Sequence, residues 1–143
     1  MNDKTAVKIF KEAKLAGEKA LNNCIPTPMN VIEVGIDDKP YEGSKSYYVP
    51  EGMCGFASVW LPDSRSDFIK QLKKAGIAQM KKTYSWKHGD KIYELEKCLF
   101  KKGYNYCVRK GGQSIEKKEA YAEAFASVLN KYEIVAYVQS RLD

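Results

Sequence analysis

The stretch from Gly111 to Leu129 constrains the fold most, because it combines a tight turn, a helix cap and a long apolar face. The two glycines at its start can take positive φ and turn the chain sharply. Ser114 is predicted as the N-cap, since its hydroxyl can accept a hydrogen bond from a free backbone N–H. Apolar residues at spacings of three, four and one then predict one broad buried stripe, formed by Tyr121, Ala124, Phe125, Val128 and Leu129. We therefore predict a helix over residues 114–130.

Two further helices are predicted. Residues 4–22 repeat apolar and small residues at alternating spacings of four and three, with Asp3 or Thr5 as the cap. The small residues on that face predict close approach of another element; they are Ala13, Gly17 and Ala20. A shorter helix is predicted to begin at Ser66 and to bury Phe68, Ile69, Leu72 and Ala75.

Runs of apolar and aromatic residues between these helices predict strands at 31–36, 47–49, 53–61, 98–100, 104–108 and 134–138. Residues 53–61 are apolar on both faces, which predicts a central strand that is covered at least in part on both sides. Two hairpins are predicted, over 84–95 and over 98–108. The fold class is therefore α+β: a single domain, 1–143, with an antiparallel or mixed sheet packed by about three helices.

The composition excludes several classes of protein. No apolar run approaches the ~20 residues that a membrane-spanning helix needs, and the N-terminus lacks the apolar core of a signal peptide. The chain is therefore expected in the cytoplasm, with its four cysteines free and mostly buried. No C-x-x-C pair occurs and His88 is the only histidine, so neither a metal site nor a cofactor is predicted.

Positive charge is concentrated in residues 81–118, where eleven basic residues face four acidic ones, a net charge of +7 in a chain of net charge +6. Such a field attracts polyanions, although a lysine-rich surface also serves solubility alone. Aromatic residues alternate with these lysines: Tyr84, Trp86, Tyr93, Tyr104 and Tyr106. Exposed rings beside lysines would allow base stacking together with phosphate contacts, whereas buried rings would simply fill the sheet core.

The start of the 114–130 helix is a candidate anion site. Free backbone N–H groups at a helix N-terminus attract phosphate or carboxylate, and Lys117 and Lys118 lie one turn further on. Changing both lysines to glutamate is then expected to weaken binding and to leave the fold intact. The alternative is a capped core helix whose lysines are only solvated.

The turn into this helix loosely resembles the opening of the last helix in double-stranded-RNA-binding domains, where Gly-x-Gly-x-Ser-Lys-Lys precedes the helix and the lysines bind phosphates. Here Gly111, Ser114, Lys117 and Lys118 follow one another in the same order along the chain. The two lysines lie two residues later than in those domains, and Ile115-Glu116 occupy their place.

A second resemblance covers most of the chain. It rests on Pro26-Thr27-Pro28-Met29-Asn30-Val31, Glu51-Gly52-Met53-Cys54-Gly55-Phe56-Ala57, Gly112-Gln113-Ser114, Lys118-Glu119-Ala120-Tyr121-Ala122, Ala136-Tyr137 and Ser140-Arg141-Leu142-Asp143. These stretches resemble a family of small, uncharacterised tailed-bacteriophage proteins, from which residues 81–104 depart. The resemblance implies a viral origin and directs attention to Gln113, Ser114, Lys118, Tyr121, Ser140 and Arg141. It implies no mechanism.

The first functional hypothesis is a non-enzymatic, phage-type accessory protein that acts in the host cytoplasm, with counter-defence as one setting. Its partner would be anionic: nucleic acid, a nucleotide signal or an acidic host protein. The expected binding residues are Arg109, Lys110, Gln113, Ser114, Lys117, Lys118, Tyr121 and Arg141, with Tyr121 stacking on the ligand. The first alternative is a virion or assembly component, and the second is a hydrolase with Cys54 as its nucleophile. A homo-oligomer is left open.

Overall fold

The computed structural model describes residues 1–37, 39, 43, 45–80 and 93–143, and within them it confirms the α+β class. The helices are α1 (Asp3–Asn23), α2 (Asp67–Lys74) and α3 (Ile115–Lys131). The strands are β1 (Met29–Ile32), β2 (Ser46–Val49), β3 (Gly55–Leu61), β4 (Glu96–Lys97), β5 (Tyr104–Cys107) and β6 (Tyr137–Leu142). The first predicted hairpin, with Tyr84, Trp86 and His88, lies almost entirely outside the described residues.

The strands form two antiparallel sheets. β1 and β2 make a separate two-stranded ribbon, and the main sheet has the order β4-β5-β3-β6. Read from β3 onward, the described elements run strand, helix, strand, strand, helix, strand, and the strands neighbour one another in the order of the ferredoxin-like split-βαβ arrangement.

Local chemistry explains where the helices begin. The Ser66 hydroxyl accepts a hydrogen bond from the Ile69 N–H at 3.3 Å, and the Ser114 hydroxyl accepts one from the Lys117 N–H at 3.4 Å. Both predicted N-caps are confirmed. In α1 the cap is instead Asn2, whose side chain accepts from the Thr5 N–H at 2.8 Å, so the expectation of Asp3 or Thr5 was wrong by one residue or more.

The core lies between the helices and one face of the main sheet. The Tyr106 ring of β5 stacks on the Phe125 ring of α3, with centroids 4.3 Å apart, and Phe10 of α1 packs edge-on against both. α1 and α3 approach closely where Gly17 faces the Tyr121 ring, as the small residues of α1 predicted. A Cβ added at Gly17 would lie 2.7 Å from that ring.

The central position of β3 is confirmed, and its two faces differ in cover: one is fully buried, and the other is only partly covered, with Ser58 and Trp60 half-buried. Ala57, Val59 and Leu61 point into the core and are at most 4% exposed. The alternate residues point away from the helices, and Phe56 among them is 47% exposed. Both faces of β3 carry apolar residues, but only the face with Ala57, Val59 and Leu61 is buried in the core.

The last strand lies further along the chain than the sequence indicates. It was predicted at 134–138 with a charged tail after it, yet β6 runs to Leu142 and pairs with β3 along six residues. Backbone pairing at a sheet edge does not need apolar side chains, so the polar Gln139-Ser140-Arg141 segment forms strand as well. The second predicted hairpin is confirmed in β4 and β5, although β4 occupies Glu96–Lys97 rather than 98–100.

Candidate functional site

The side chains of the main sheet that point away from the helices form a surface that we call the open sheet face. It consists of Phe56, Ser58 and Trp60 from β3, Asn105 and Cys107 from β5, and Tyr137, Gln139 and Arg141 from β6. The register places Arg141 beside Phe56, Ser58 between Cys107 and Gln139, and Trp60 between Asn105 and Tyr137. The face therefore carries three aromatic rings in two rows with a small polar row between them.

A lysine lies over the Trp60 indole. Its Nζ, on Lys101, is 4.2 Å from the ring centroid and donates a hydrogen bond to Gln139 Oε1 at 2.9 Å. The indole is fixed because Trp60 Nε1 donates to the backbone carbonyl of Lys102 at 2.9 Å. The Tyr137 ring lies 5.9 Å from the indole and is tilted against it by 36°. Lys101 forms no ion pair with any described carboxylate, so its charge is uncompensated on this face.

Two more cations lie against the Phe56 ring. The Lys118 Nζ is 5.1 Å from the ring centroid and the Arg141 guanidinium carbon is 5.3 Å from it. Lys118 is only 7% exposed, and its Nζ donates to the backbone carbonyl of Gly55 at 3.2 Å. Neither cation forms an ion pair with a described carboxylate. Two like charges beside one ring favour an anion that can approach both.

An open groove of about 380 Å³ runs between these two ends of the face. Its lining includes Phe56, Ser58, Asn105, Gln139 and Arg141. The groove exists because Ser58 is small and stands between the larger Phe56 and Trp60 on the same face of β3.

The side-chain oxygen of Asn105, which lines the groove, has no hydrogen-bond partner among the described residues. The Nδ2 of the same side chain donates weakly to the Cys107 sulfur at 3.4 Å, while the oxygen, Oδ1, is buried. Such an acceptor gains free energy from any donor that reaches it. Desolvation raises the pKa of the Cys107 thiol, and the nearby Glu96 carboxylate raises it further, so this thiol is neutral near pH 7.

The three most exposed basic residues near the start of α3 are already in ion pairs. Arg109 contacts Glu96 at 3.1 Å, Lys117 contacts Glu51 at 3.9 Å, and Lys110 contacts Glu18. The hydrogen bond and positive charge of Lys110 lower the pKa of the Glu18 carboxyl. In turn, the hydrogen bond and negative charge of Glu18 raise the pKa of the Lys110 ammonium. These pairs reduce the local field, and they shift the candidate site from the turn to the open sheet face.

Two of the first three backbone N–H groups of α3 already have acceptors, which leaves the expected anion site less open than predicted. The Ile115 N–H donates to the Met53 carbonyl at 3.0 Å, and the Lys117 N–H donates to the Ser114 hydroxyl. Ser114 is 1% exposed, so its hydroxyl serves the cap. The Glu116 carboxylate accepts from the Thr27 N–H at 2.6 Å and adds a negative charge to this end of the helix.

Tyr121 cannot stack on a ligand at the surface, and that expectation is wrong. It is 2% exposed, and its hydroxyl hydrogen-bonds the Tyr106 hydroxyl at 2.8 Å. Burial raises the pKa of both phenols. Tyr104 and Tyr106 are likewise core residues, at 0% and 8% exposed, so the tyrosines of β5 fill the core instead of forming a stacking platform.

Gln113 joins α3 to the start of β3. Its backbone carbonyl accepts from the Gly55 N–H at 3.0 Å, and its side-chain Oε1 lies 3.5 Å from the Cys54 sulfur. Cys54 is half-buried and precedes β3, so the expectation of a buried strand cysteine is wrong. Cys24 and Cys98 are also half-buried and Cys107 is exposed, which contradicts mostly buried thiols; all four are free, as predicted.

Of the eight predicted binding residues, the structure brings Lys118 and Arg141 together at Phe56. The residues that the sequence reasoning missed are the aromatic ones of the open sheet face, Phe56, Trp60 and Tyr137, and Lys101 above them. One signal could have found them: the apolar stretch 53–61 places Phe56, Ser58 and Trp60 on one face at a period of two. What the sequence does not show is that none of the three described helices covers this face.

No family model matches the chain, and no curated protein and no solved structure matches it either. Among residues 1–37, 39, 43, 45–80 and 93–143, no helix is long and apolar enough to cross a membrane. Within the same residues, no three His, Cys, Asp or Glu side chains lie close enough together to hold a metal ion.

Proposed function

We propose that the protein is a non-enzymatic binding protein whose open sheet face takes an anionic partner, and that this partner is nucleic acid. The observation that carries the proposal is the pairing of uncompensated cations with aromatic rings: Lys101 on Trp60, and Lys118 with Arg141 on Phe56. Phosphate groups need the cations and bases need the rings. An acidic protein partner would contact the same cations and rings, and the oligonucleotide test below distinguishes the two kinds of partner.

The cations that now lie over the rings do not prevent stacking. An exposed cation–π contact contributes about 0.5–1 kcal/mol, whereas a base stacked on an aromatic ring contributes about 1–3 kcal/mol. A base can therefore displace the Lys101 ammonium from Trp60, and the released ammonium is then placed to contact a phosphate. Arg141 is exposed and can swing in the same way.

The test is binding of a fluorescent oligonucleotide, measured by anisotropy across a salt series. Lys101→Glu combined with Arg141→Glu is expected to weaken binding at least tenfold at low salt. For single strands each phosphate contact adds about 0.7 to the slope of log affinity against log salt, so losing two contacts lowers the slope by about 1.4.

The matched control is Lys11→Glu combined with Lys19→Glu. Both lysines are exposed on α1, on the helical side of the molecule, and neither pairs with a described carboxylate. This variant carries the same change in net charge. Equal losses in the two variants would mean that only overall charge matters, and absence of binding by the parent would favour an acidic protein partner or a place in the virion.

The biological setting that we propose is a bacteriophage protein acting in the host cytoplasm, with counter-defence as one role. Its support is the resemblance carried by the stretches around Pro26, Cys54, Gln113 and Arg141, together with the small size of the chain. The experiment is purification from infected cells followed by identification of copurifying phosphate-containing molecules. Recovery of the protein within purified particles would instead favour the virion role.

A further inference from the structure

The groove on the open sheet face lies where a base, rather than a phosphate, would be placed. Its volume of about 380 Å³ is within the ~300–1,000 Å³ of small-molecule sites. The Phe56 ring bounds it beside Arg141, and the row of Ser58 and Gln139 crosses it. Arg141 lines the groove beside Phe56, and the Lys101 ammonium reaches Gln139 from the side of Trp60. A phosphate bound by either cation therefore leaves its base near the Ser58 row.

The polar groups in the groove match the edge of a nucleobase. The Ser58 hydroxyl makes no side-chain hydrogen bond to a described residue. Asn105 Oδ1 is an acceptor without a partner and is buried as the side chain stands, so a donor on a base reaches it when the Asn105 amide rotates toward the groove. A nucleobase edge carries donors and acceptors side by side, and its faces are apolar. A phosphate, which only accepts, cannot satisfy the Asn105 oxygen.

The spacing between the Phe56 and Trp60 rings favours a nucleic-acid strand over a free nucleotide as the ligand. Phe56 and Trp60 are four residues apart on β3, which places them about 13 Å apart at ~3.3 Å per residue. Stacked bases lie much closer than this, so one nucleotide cannot contact both rings. Consecutive nucleotides of one strand can occupy Phe56, the groove and Trp60 in turn.

We infer that the groove over Ser58 binds an unpaired nucleobase and makes the protein selective for single-stranded nucleic acid. The inference rests on the proposed function, because these cations supply the phosphate contacts. In a duplex the faces of the bases are stacked and their pairing edges are occupied, so a base cannot enter the groove without leaving the helix. A duplex would therefore contact the cations alone.

The experiment compares three fluorescent probes with the full chain: a 15-mer of thymidine, an abasic phosphodiester 15-mer, and a 15-base-pair duplex. The parent protein is expected to bind the thymidine strand at least tenfold more tightly than the other two. Ser58→Ile fills the groove with a residue that favours strands and has no ring for stacking. It is expected to lose this preference and to bind the abasic strand as the parent does.

Ser58→Ala is the matched control, since it keeps the groove open, and it is expected to retain at least a threefold preference for thymidine. Equal binding of the thymidine and abasic strands by the parent would overturn the inference and leave the proposed function standing. Retained preference in a folded Ser58→Ile protein would also overturn it. Failure of the parent to bind any of the three probes would overturn the proposed function itself.

Discussion

The Lys118 Nζ and the backbone carbonyl oxygen of Gly55 lie 3.2 Å apart, and this contact joins the first turn of α3 to the first residue of β3. The same ammonium lies 5.1 Å from the centroid of the Phe56 ring on the open sheet face. Lys118 therefore belongs both to the packing of the helix and to the candidate site. Its neighbour Lys117 is half-buried and pairs with Glu51.

Lys118→Glu is expected to destabilise the protein, because it buries a carboxylate next to a carbonyl oxygen. The expected loss in the free energy of unfolding is about 3–5 kcal/mol, the usual range for an uncompensated buried charge. Lys117→Glu is the control and should cost less, about 1 kcal/mol, since only a partly exposed pair with a 3.9 Å separation is lost. Urea unfolding measures both. Equal stability of the two variants would contradict the burial of Lys118 and support the expectation that both changes leave the fold intact.

Because of Tyr106 and Tyr121, the free energy of unfolding should depend on pH in the alkaline range. Burial raises the pKa of both phenols in the folded state, so the folded protein holds protons that the unfolded chain releases above its pKa of about 10. Their contribution is complete below pH ~10 and falls as the pH rises further, by up to about 1.4 kcal/mol per pH unit for each tyrosine.

The Tyr106→Phe and Tyr121→Phe double variant is expected to lose this part of the pH dependence. At neutral pH each single change should cost about 1–3 kcal/mol, because one buried hydroxyl keeps no partner, while the double change costs less than their sum. Thermal unfolding from pH 8 to pH 11 measures both effects. Additive single and double changes would mean that the two hydroxyls do not interact.

In the Gly17→Ala variant, packing and helix propensity change the free energy of unfolding in opposite directions, so the sign of the change shows which effect is larger. Alanine is favoured over glycine within a helix by about 1 kcal/mol. The added Cβ would, however, lie 2.7 Å from the Tyr121 ring, which is fixed between α1 and the core. We expect a net destabilisation of about 1–3 kcal/mol, typical of overpacking. A rise in the unfolding midpoint would show that the two helices can separate without cost.

Cys107 offers a readout of the open sheet face that needs no change in sequence. Because desolvation raises the pKa of its thiol, alkylation by iodoacetamide should be slow at pH 7 and should accelerate toward pH 9. A saturating thymidine oligonucleotide is expected to slow labelling of Cys107 at least fivefold. Cys24, at the end of α1, should be labelled at the same rate with and without it. Unchanged labelling of Cys107 would place the ligand elsewhere.

Much of the architecture followed from local signals. Ser66 and Ser114 predicted the starts of two helices, because a hydroxyl in front of an apolar stripe accepts hydrogen bonds from free backbone N–H groups. These hydrogen bonds join residues three positions apart and need no distant partner. Gly17 indicated close packing because a missing side chain inside a helix has few other uses. Residues 53–61 indicated the central strand because a run of apolar residues is stable only where its neighbours cover it.

The candidate site depended on what the sequence could not show. Tyr121 and Trp60 are both aromatic residues near lysines in sequence or space, yet one is buried under α1 and the other lies on the open sheet face. Which face of β3 the helices cover is decided by long-range packing, and the register of β6 brings Arg141 to Phe56 from 85 positions away. Periodicity alone determined that β3 has two apolar faces, and only the tertiary structure decided which of them is free to bind, because burial depends on contacts between distant segments.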